Sequence, residues 1–182
     1  MTEFLGVKWE TLRPVLLTHG VRVLITESTY GDRFHDNFET TDEALRAVIA
    51  NTYRRGGKVI VPAFSVGRTQ ELVYALHRMT QAQQIPELPI FVDSPLSVNV
   101  TEIFCLHREC YDEEVTEFLG ASSHRNPFGF YRLTYIRSVE GSKELNHLEG
   151  PAIIISASGM CEAGRILHHL KHNIEDSRST VL

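Results

Sequence analysis

The chain has 182 residues, a length that fits one domain and is too short for two domains with full cores. Hydrophobic residues make up 42% and charged residues 23%, which is average for a folded soluble domain and excludes a chain that is disordered throughout. No apolar run reaches the ~18 residues that a membrane helix needs, and the first residues lack the basic flank and apolar core of a signal peptide.

Cysteine content and net charge bear on the cellular compartment and on how the protein could bind nucleic acid. The three cysteines form no C-x-x-C pair, so they indicate reduced thiols and predict a cytoplasmic protein without membrane contact. The net charge of −5 argues against a protein that holds nucleic acid by bulk charge alone, since such domains are usually basic. A local cationic site remains compatible with this charge.

Short apolar runs alternate with helical patterns along the chain. This alternation predicts an α/β fold with an open, mostly parallel sheet and helices on both faces. Thr40 and Glu43 form a capping box before one helix, which Gly56 and Gly57 end. A second helix is predicted after the strand at 58–62, where Leu72, Val73, Leu76 and Met79 recur at helical spacing. One or two helices are predicted within 97–119, and another from 166 to 171. The predicted strands are 21–25, 58–62, 90–92, 133–136, 152–156 and 179–182.

Both ends of the chain have the pattern of a fragment. The first twenty residues show little periodicity, and the strand at 179–182 is followed by no turn and no partner strand. We therefore expect a piece of a longer protein. The stretch 120–150 is rich in Ser, Asn, Gly and aromatic residues and is predicted as a loop with one strand.

Polar residues follow three of the predicted strands. In an open parallel sheet, ligands bind beyond the carboxyl ends of the strands, where free N–H groups of helix N-termini suit an anion and Arg can bind phosphate. Ser and Gly are also ordinary turn and cap residues, so both interpretations stay open. No P-loop or dinucleotide fingerprint is present, which argues against a nucleotide cofactor. The candidate phosphate-binding residues are Ser65, Gly67, Arg68, Ser94, Ser158, Gly159 and Arg165.

The first predicted strand ends in an acidic residue, Glu27, followed by hydroxyls and a glycine turn. Such a carboxylate can orient a base or a metal ligand, or it can simply cap a solvated loop. The nine histidines include no H-x-H pair and no H-E-x-x-H motif. His168 and His172 share a helical face but lack a third ligand, so a cationic helix face is the better interpretation and no metal site is predicted. No motif supports a cysteine nucleophile.

These motifs resemble those of the β-CASP family, the RNA- and DNA-processing branch of the metallo-β-lactamase fold. The similarity begins at VLITESTYGDR (23–33) and continues in order over nearly the whole chain from residue 21. The nearest likeness is to bacterial and archaeal members related to the eukaryotic pre-mRNA 3′-end endonuclease. The later motifs are RGGKV (55–59), PAFSVGRTQE (62–71), DSP (93–95), NPF (126–128), SASGM (156–160) and GRILHHLKH (164–172).

The resemblance implies an enzyme divided between two domains. In the family, a metallo-β-lactamase domain binds two zinc ions, the β-CASP domain is inserted into it, and RNA enters the cleft between them. The resemblance places residues 1–38 at the end of the metallo-β-lactamase part and residues 39–172 in the β-CASP domain. Residues 173–182 would lead back to the metallo-β-lactamase part and would include a terminal strand of that missing domain. Glu27 falls on the family's acidic motif, which supports a catalytic histidine. That histidine and the zinc ligands would lie outside this chain.

The resulting expectation is the substrate-clamping part of a zinc-dependent ribonuclease that acts on single-stranded RNA, inactive as an isolated chain. Its expected partners are RNA and the missing metallo-β-lactamase domain. Two alternatives stay open: a non-catalytic module that binds RNA or phosphate, and a scaffold partner of an active nuclease. Endonuclease or 5′-exonuclease action, RNA or DNA preference, and a homodimer or another oligomeric state are undetermined by the residues.

Overall fold

A computed structural model describes residues 28, 31–32, 38–121 and 126–182 of the chain. The predicted strand at 21–25 and the candidate acid Glu27 lie outside the described residues. Within them, the helices are α1 (Phe38–Arg54), α2 (Arg68–Gln81), α3 (Pro95–Leu106), α4 (Glu113–Ala121), α5 (Val139–Glu144) and α6 (Ile166–Asn173). The strands are β1 (Lys58–Pro62), β2 (Ile90–Asp93), β3 (Leu133–Ile136), β4 (Ala152–Ser156) and β5 (Thr180–Val181).

The predicted elements form with small shifts at their ends. Helix α1 begins at Phe38, so Thr40 lies in its first turn and not at the cap. The stretch 97–119 contains two helices, separated by a short 3₁₀ turn at Arg108–Cys110. Helix α5 was not predicted. It begins where the Ser138 side chain accepts a hydrogen bond from the Gly141 amide, a local cap within a stretch that lacks an apolar stripe.

All five strands are parallel, in the order β3-β2-β4-β1-β5. Alternate residues of each strand face opposite sides of the sheet, and both sides are covered. Val59 and Val61 of β1 pack in one cluster with α1, α2 and α3, whereas Ile60 packs on the other side with Ile166 of α6. Both faces are therefore buried, as parallel sheets require, and the predicted fold class is confirmed.

The last strand corrects one expectation. The family resemblance assigns the predicted strand at 179–182 to the missing domain. Instead, β5 pairs with β1 of this sheet, with Val59 opposite Thr180 and Ile60 opposite Val181. Its approach depends on Gly57, where a Cβ atom would lie 2.0 Å from the carbonyl oxygen of Arg178. The pairing joins residues too far apart in the chain for a local pattern to reveal it.

The order of strands determines which loops meet. Strands β1 and β2 follow each other in the chain but are not adjacent in the sheet, because β4 lies between them. Strands β2, β4 and β1 therefore form the centre of the sheet. Their carboxyl ends lie at one edge, where a crevice forms in open α/β sheets. No helix in the described part of the chain is long and apolar enough to cross a membrane.

Candidate functional site

The seven candidate residues of the predicted phosphate site follow β1, β2 and β4, at one edge of the sheet. We call the segments 63–68, 94–97 and 157–165 the carboxyl-edge loops. The first two of these loops are in direct contact, because Ser65 Oγ lies 3.2 Å from Ser94 Oγ. The third lies against the first, since Gly159 packs on Phe64. The topology thus brings the first loop into contact with each of the other two, although the three are far apart in sequence.

Ser94 caps helix α3. Its hydroxyl accepts a hydrogen bond from the Ser97 amide at 3.2 Å, and Pro95 occupies the first helical position. The bond between Ser94 and Ser65 uses only one of their two hydroxyl protons. Among the described residues no hydrogen bond uses the second proton. The pair can therefore still donate one hydrogen bond to an oxygen of a ligand.

Gly67 and Arg68 begin helix α2. Gly67 has φ +81°, a conformation that other residues rarely adopt, and its amide donates to Gln70 Oε1 at 2.8 Å. Arg68 is 66% exposed and its Nη1 lies 3.1 Å from Glu71 Oε2. An exposed ion pair of this kind is weak, so the guanidinium is accessible to an anion.

Gln70 was missed by the sequence interpretation. It is fully buried, and its Nε2 donates to Thr101 Oγ1 at 2.8 Å and to the carbonyl of Ser65 at 3.3 Å. The side chain therefore ties the loop after β1 to helix α3. Its position in PAFSVGRTQE was noticed, but nothing local distinguishes a buried glutamine from an exposed one on a helix.

Ser158 and Gly159 lie in the loop after β4. The Ser158 hydroxyl accepts a hydrogen bond from the Met160 amide at 3.2 Å. A Cβ atom at Gly159 would lie 3.1 Å from both the backbone nitrogen and Cδ2 of Phe64. Glycine therefore lets the two loops approach closely, a reason that the sequence alone did not provide.

Arg165 belongs to a buried network centred on Asp93, the last residue of β2. Arg165 Nη1 donates to Asp93 Oδ1 at 2.7 Å, and its Nη2 donates to the carbonyl of Arg137 at 2.7 Å. The other carboxylate oxygen, Oδ2, accepts from Ser142 Oγ at 2.5 Å and from His169 Nε2 at 2.7 Å. Asp93 and His169 are both fully buried. The network joins β2, the exit of β3, and helices α5 and α6.

The electrostatics of Asp93 reflect a balance between burial and hydrogen bonding. Burial raises the pKa of Asp93, but hydrogen bonds from His169, Ser142 and Arg165 outweigh it. The pKa consequently lies below its ordinary value of 3.8, and the carboxylate is charged at neutral pH. The three donors belong to residues 49 to 76 positions away, so sequence analysis did not connect them.

The described residues do not fit a zinc centre. In that part of the chain, no three His, Cys, Asp or Glu side chains come together as a metal site. His172 Nδ1 lies 2.7 Å from the carbonyl oxygen of His168, so this nitrogen is engaged with the helix backbone. Burial raises the pKa of the Cys105 thiol, which keeps it protonated and unreactive near neutral pH. No zinc chemistry is assigned to these residues.

Together these features define an α/β domain that presents hydroxyl groups and one exposed guanidinium at the carboxyl edge of a parallel sheet. The chain belongs to the Beta-Casp domain family, which matches residues 69–182. The family resemblance read from the motifs is thereby confirmed. Relatives that match this chain include proteins named as a ribonuclease and as endoribonucleases.

Three relatives illustrate the similarity. Ribonuclease TTHA0252 of Thermus thermophilus is 37% identical over 161 residues, which cover 88% of this chain and 36% of the relative. Transcription termination factor FttA of Methanosarcina mazei is 29% identical over 164 residues, with 89% and 25% covered. Endoribonuclease ysh1 of Schizosaccharomyces pombe is 30% identical over 161 residues, with 88% and 20% covered. The chain thus spans between a fifth and about a third of their lengths.

Proposed function

We propose that this chain is the substrate-clamping part of a zinc-dependent ribonuclease and holds single-stranded RNA beside a metal centre on another domain. The observation that carries the proposal is the contact between Ser65 and Ser94, which brings the starts of helices α2 and α3 together at the carboxyl edge. The names of two relatives, a ribonuclease and an endoribonuclease, support the substrate class.

A phosphate at this place would meet several favourable groups. Helices α2 and α3, of 14 and 12 residues, begin at these loops, and the positive end of each helix dipole attracts an anion. The spare hydroxyl proton of the Ser65–Ser94 pair can donate to a phosphate oxygen. Arg68 adds one exposed positive charge nearby in the chain. Such contacts position an RNA backbone without reading its sequence.

The contacts of Arg165 support a positioning role in preference to phosphate binding. Its guanidinium is only 19% exposed and already bonds to Asp93 and to the carbonyl of Arg137. A phosphate would have to compete with a buried carboxylate for the same donors. In our proposal Arg165 therefore fixes the loop after β4. Ser65, Arg68, Ser158 and Gly159 face the RNA, and the buried residues Gly67 and Ser94 support them from beneath.

The remaining parts of the proposal concern the parent protein. Two zinc ions bound by a metallo-β-lactamase domain would supply the activated water and stabilise the leaving oxygen. Glu27 would support the catalytic histidine of that domain, and the protein would act in the cytoplasm. The division at 1–38, 39–172 and 173–182 remains a prediction about this parent, with β5 itself belonging to the sheet.

A second candidate is a module that binds RNA without cutting it, alone or as a scaffold for an active nuclease. The finding that no three potential metal ligands come together among the described residues is compatible with both candidates. The two candidates differ in the parent protein: a catalytic parent cleaves RNA in a zinc-dependent manner, whereas a binding module or scaffold does not.

RNA affinity measured against salt tests the proposal. We expect the 182-residue chain to bind a ten-nucleotide single-stranded RNA and, with zinc added, to leave it intact. Removing the charge in Arg68→Ala should reduce the slope of log K against log salt by about 0.7, the contribution of one phosphate contact to a single strand. Arg178→Ala is the matched control, because Arg178 is similarly exposed at 64%, paired with Asp176, and precedes β5 at the opposite edge.

Three results would count against this function. Absence of RNA binding would refute the proposal that this chain holds the substrate. An equal change of the salt slope in Arg178→Ala would show that Arg68 acts only through the net charge of the chain and not through a local phosphate contact. Zinc-dependent cleavage by the 182-residue chain would show that the metal site lies within it and not on another domain.

A further inference from the structure

Large apolar side chains are exposed on all three carboxyl-edge loops. Phe64 and Val66 follow β1, Leu96 follows β2, and Met160 follows β4, and each is more than half exposed. Exposed apolar residues scattered singly need no explanation, but four on adjacent loops mark a contact surface. The Ser–Ser contact and the approach of Gly159 to Phe64 bring these loops together.

The Phe64 backbone is held in place, although the side chain is exposed. Its carbonyl accepts hydrogen bonds from both the amide and the hydroxyl of Thr69, at 3.3 and 2.7 Å. Gly159 lies so close to one edge of the ring that a Cβ atom there would be 3.1 Å from Cδ2 and 3.2 Å from Cε2. In the described part of the chain Phe64 has no aromatic partner. An aromatic side chain has only two χ angles, so ordering the ring on a fixed backbone costs little entropy when a ligand binds.

Each loop combines an apolar side chain with a hydroxyl. Ser65 stands between Phe64 and Val66, Ser94 lies two residues before Leu96, and Ser158 lies two residues before Met160. A surface that packs on another protein is most apolar at its centre, whereas here hydroxyls interrupt the apolar groups. A nucleotide has the matching composition, with an apolar base face next to a charged phosphate and a hydroxylated sugar.

We propose that Phe64 is a stacking platform for a nucleobase of single-stranded RNA, with the phosphate of the same strand at the Ser65–Ser94 pair. This inference rests on the proposed function and adds how the strand is held. Stacking on an aromatic ring tolerates every base and requires bases that are free of a duplex. The chain is acidic and has a single exposed Arg at this site, so charge alone is a weak basis for RNA binding. Stacking supplies an attraction that does not depend on charge.

The test compares variants of the 182-residue chain by fluorescence anisotropy. The probes are a fluorescein-labelled ten-nucleotide oligoadenylate and a ribose–phosphate oligomer of equal length without bases. Phe64→Ala should weaken oligoadenylate binding by about 5- to 150-fold, the range measured for loss of one stacked base. Phe64→Trp should retain or improve the affinity. Tyr131→Ala is the matched control, since Tyr131 is an exposed aromatic residue that precedes β3 at the other edge of the sheet.

The baseless oligomer separates stacking from other effects. We expect wild type and Phe64→Ala to bind it equally, because the interaction removed by the substitution is already missing from the probe. If wild type binds oligoadenylate and Phe64→Ala binds it within twofold, the stacking role is refuted while the proposed function stands. An equal loss on both probes also refutes stacking. If wild type binds neither probe, the proposed function itself fails.

Discussion

Substitution of Arg165 tests how the Asp93 network contributes to stability. In Arg165→Ala the buried carboxylate loses one charge-assisted hydrogen bond at 2.7 Å, which is worth about 1.5–3 kcal/mol. The carbonyl of Arg137 loses a donor at 2.7 Å, worth about 0.5–1.5 kcal/mol. Because Ser142 and His169 still bond to Asp93, the charge keeps two partners. We therefore expect the free energy of unfolding to fall by about 2–4 kcal/mol.

The pH dependence of this loss identifies the charge on Asp93 as its cause. The pKa of Asp93 is lower in the folded than in the unfolded chain, so its ionisation stabilises the fold above the unfolded pKa of about 3.9. That contribution disappears as the pH falls through the folded pKa. The difference in stability between wild type and Arg165→Ala should hence be largest near pH 7 and shrink as the pH falls below about 4.

Urea denaturation followed by circular dichroism measures this difference at a series of pH values. Arg178→Ala serves as control, because loss of its exposed pair with Asp176 should cost at most about 1 kcal/mol. A loss below about 1 kcal/mol in Arg165→Ala at neutral pH, or one that is independent of pH, would refute the reasoning. The first of these outcomes would leave Arg165 available for the phosphate role that its Gly-Arg motif suggests, and the second would assign its contribution to contacts other than the Asp93 charge.

Two further substitutions test packing around the site. Gln70→Leu leaves the buried Gly67 amide without its acceptor and should cost about 1–3 kcal/mol in urea denaturation, so an unchanged midpoint would contradict the linking role of Gln70. Gly57→Ala places a Cβ atom 2.0 Å from the Arg178 carbonyl and should release β5, seen as faster amide exchange at Leu182, which donates to Ile60. Gly120→Ala is the control, since among the described residues no atom beyond its chain neighbours and its own helix backbone lies within 4 Å of the added carbon.

The elements of the fold were largely predictable because their signals are local. Apolar runs such as 58–62 and 152–156 are buried on both faces, and an uninterrupted apolar run is the mark of a strand in a parallel sheet. Helix α2 carries Val73, Leu76 and Met79 at helical spacing, and all three are buried. Helix α5 lacks such a stripe, and only its cap at Ser138 indicates where it begins.

The composition of the candidate site was predictable in part. Polar residues after β1, β2 and β4 identified the loops, because carboxyl ends of parallel strands share one edge. What each residue does there was not predictable. Ser65 and Arg165 looked alike as phosphate ligands, yet one contacts Ser94 near the surface and the other bonds to a buried carboxylate. Spacing along the chain carries no information about which side chains of separate loops meet.

The amino-acid sequence by itself determined the parallel α/β class and the motifs of the family, and it predicted the edge of the sheet at which a ligand would bind. Each of these follows from periodicity or from residues that are adjacent in the chain. Only the tertiary structure decided the strand order, the place of β5 beside β1, the burial of Asp93 under three distant donors, and the open Phe64 ring against Gly159. These depend on close contacts between segments that are far apart in the chain, and such contacts exist only once the chain has folded.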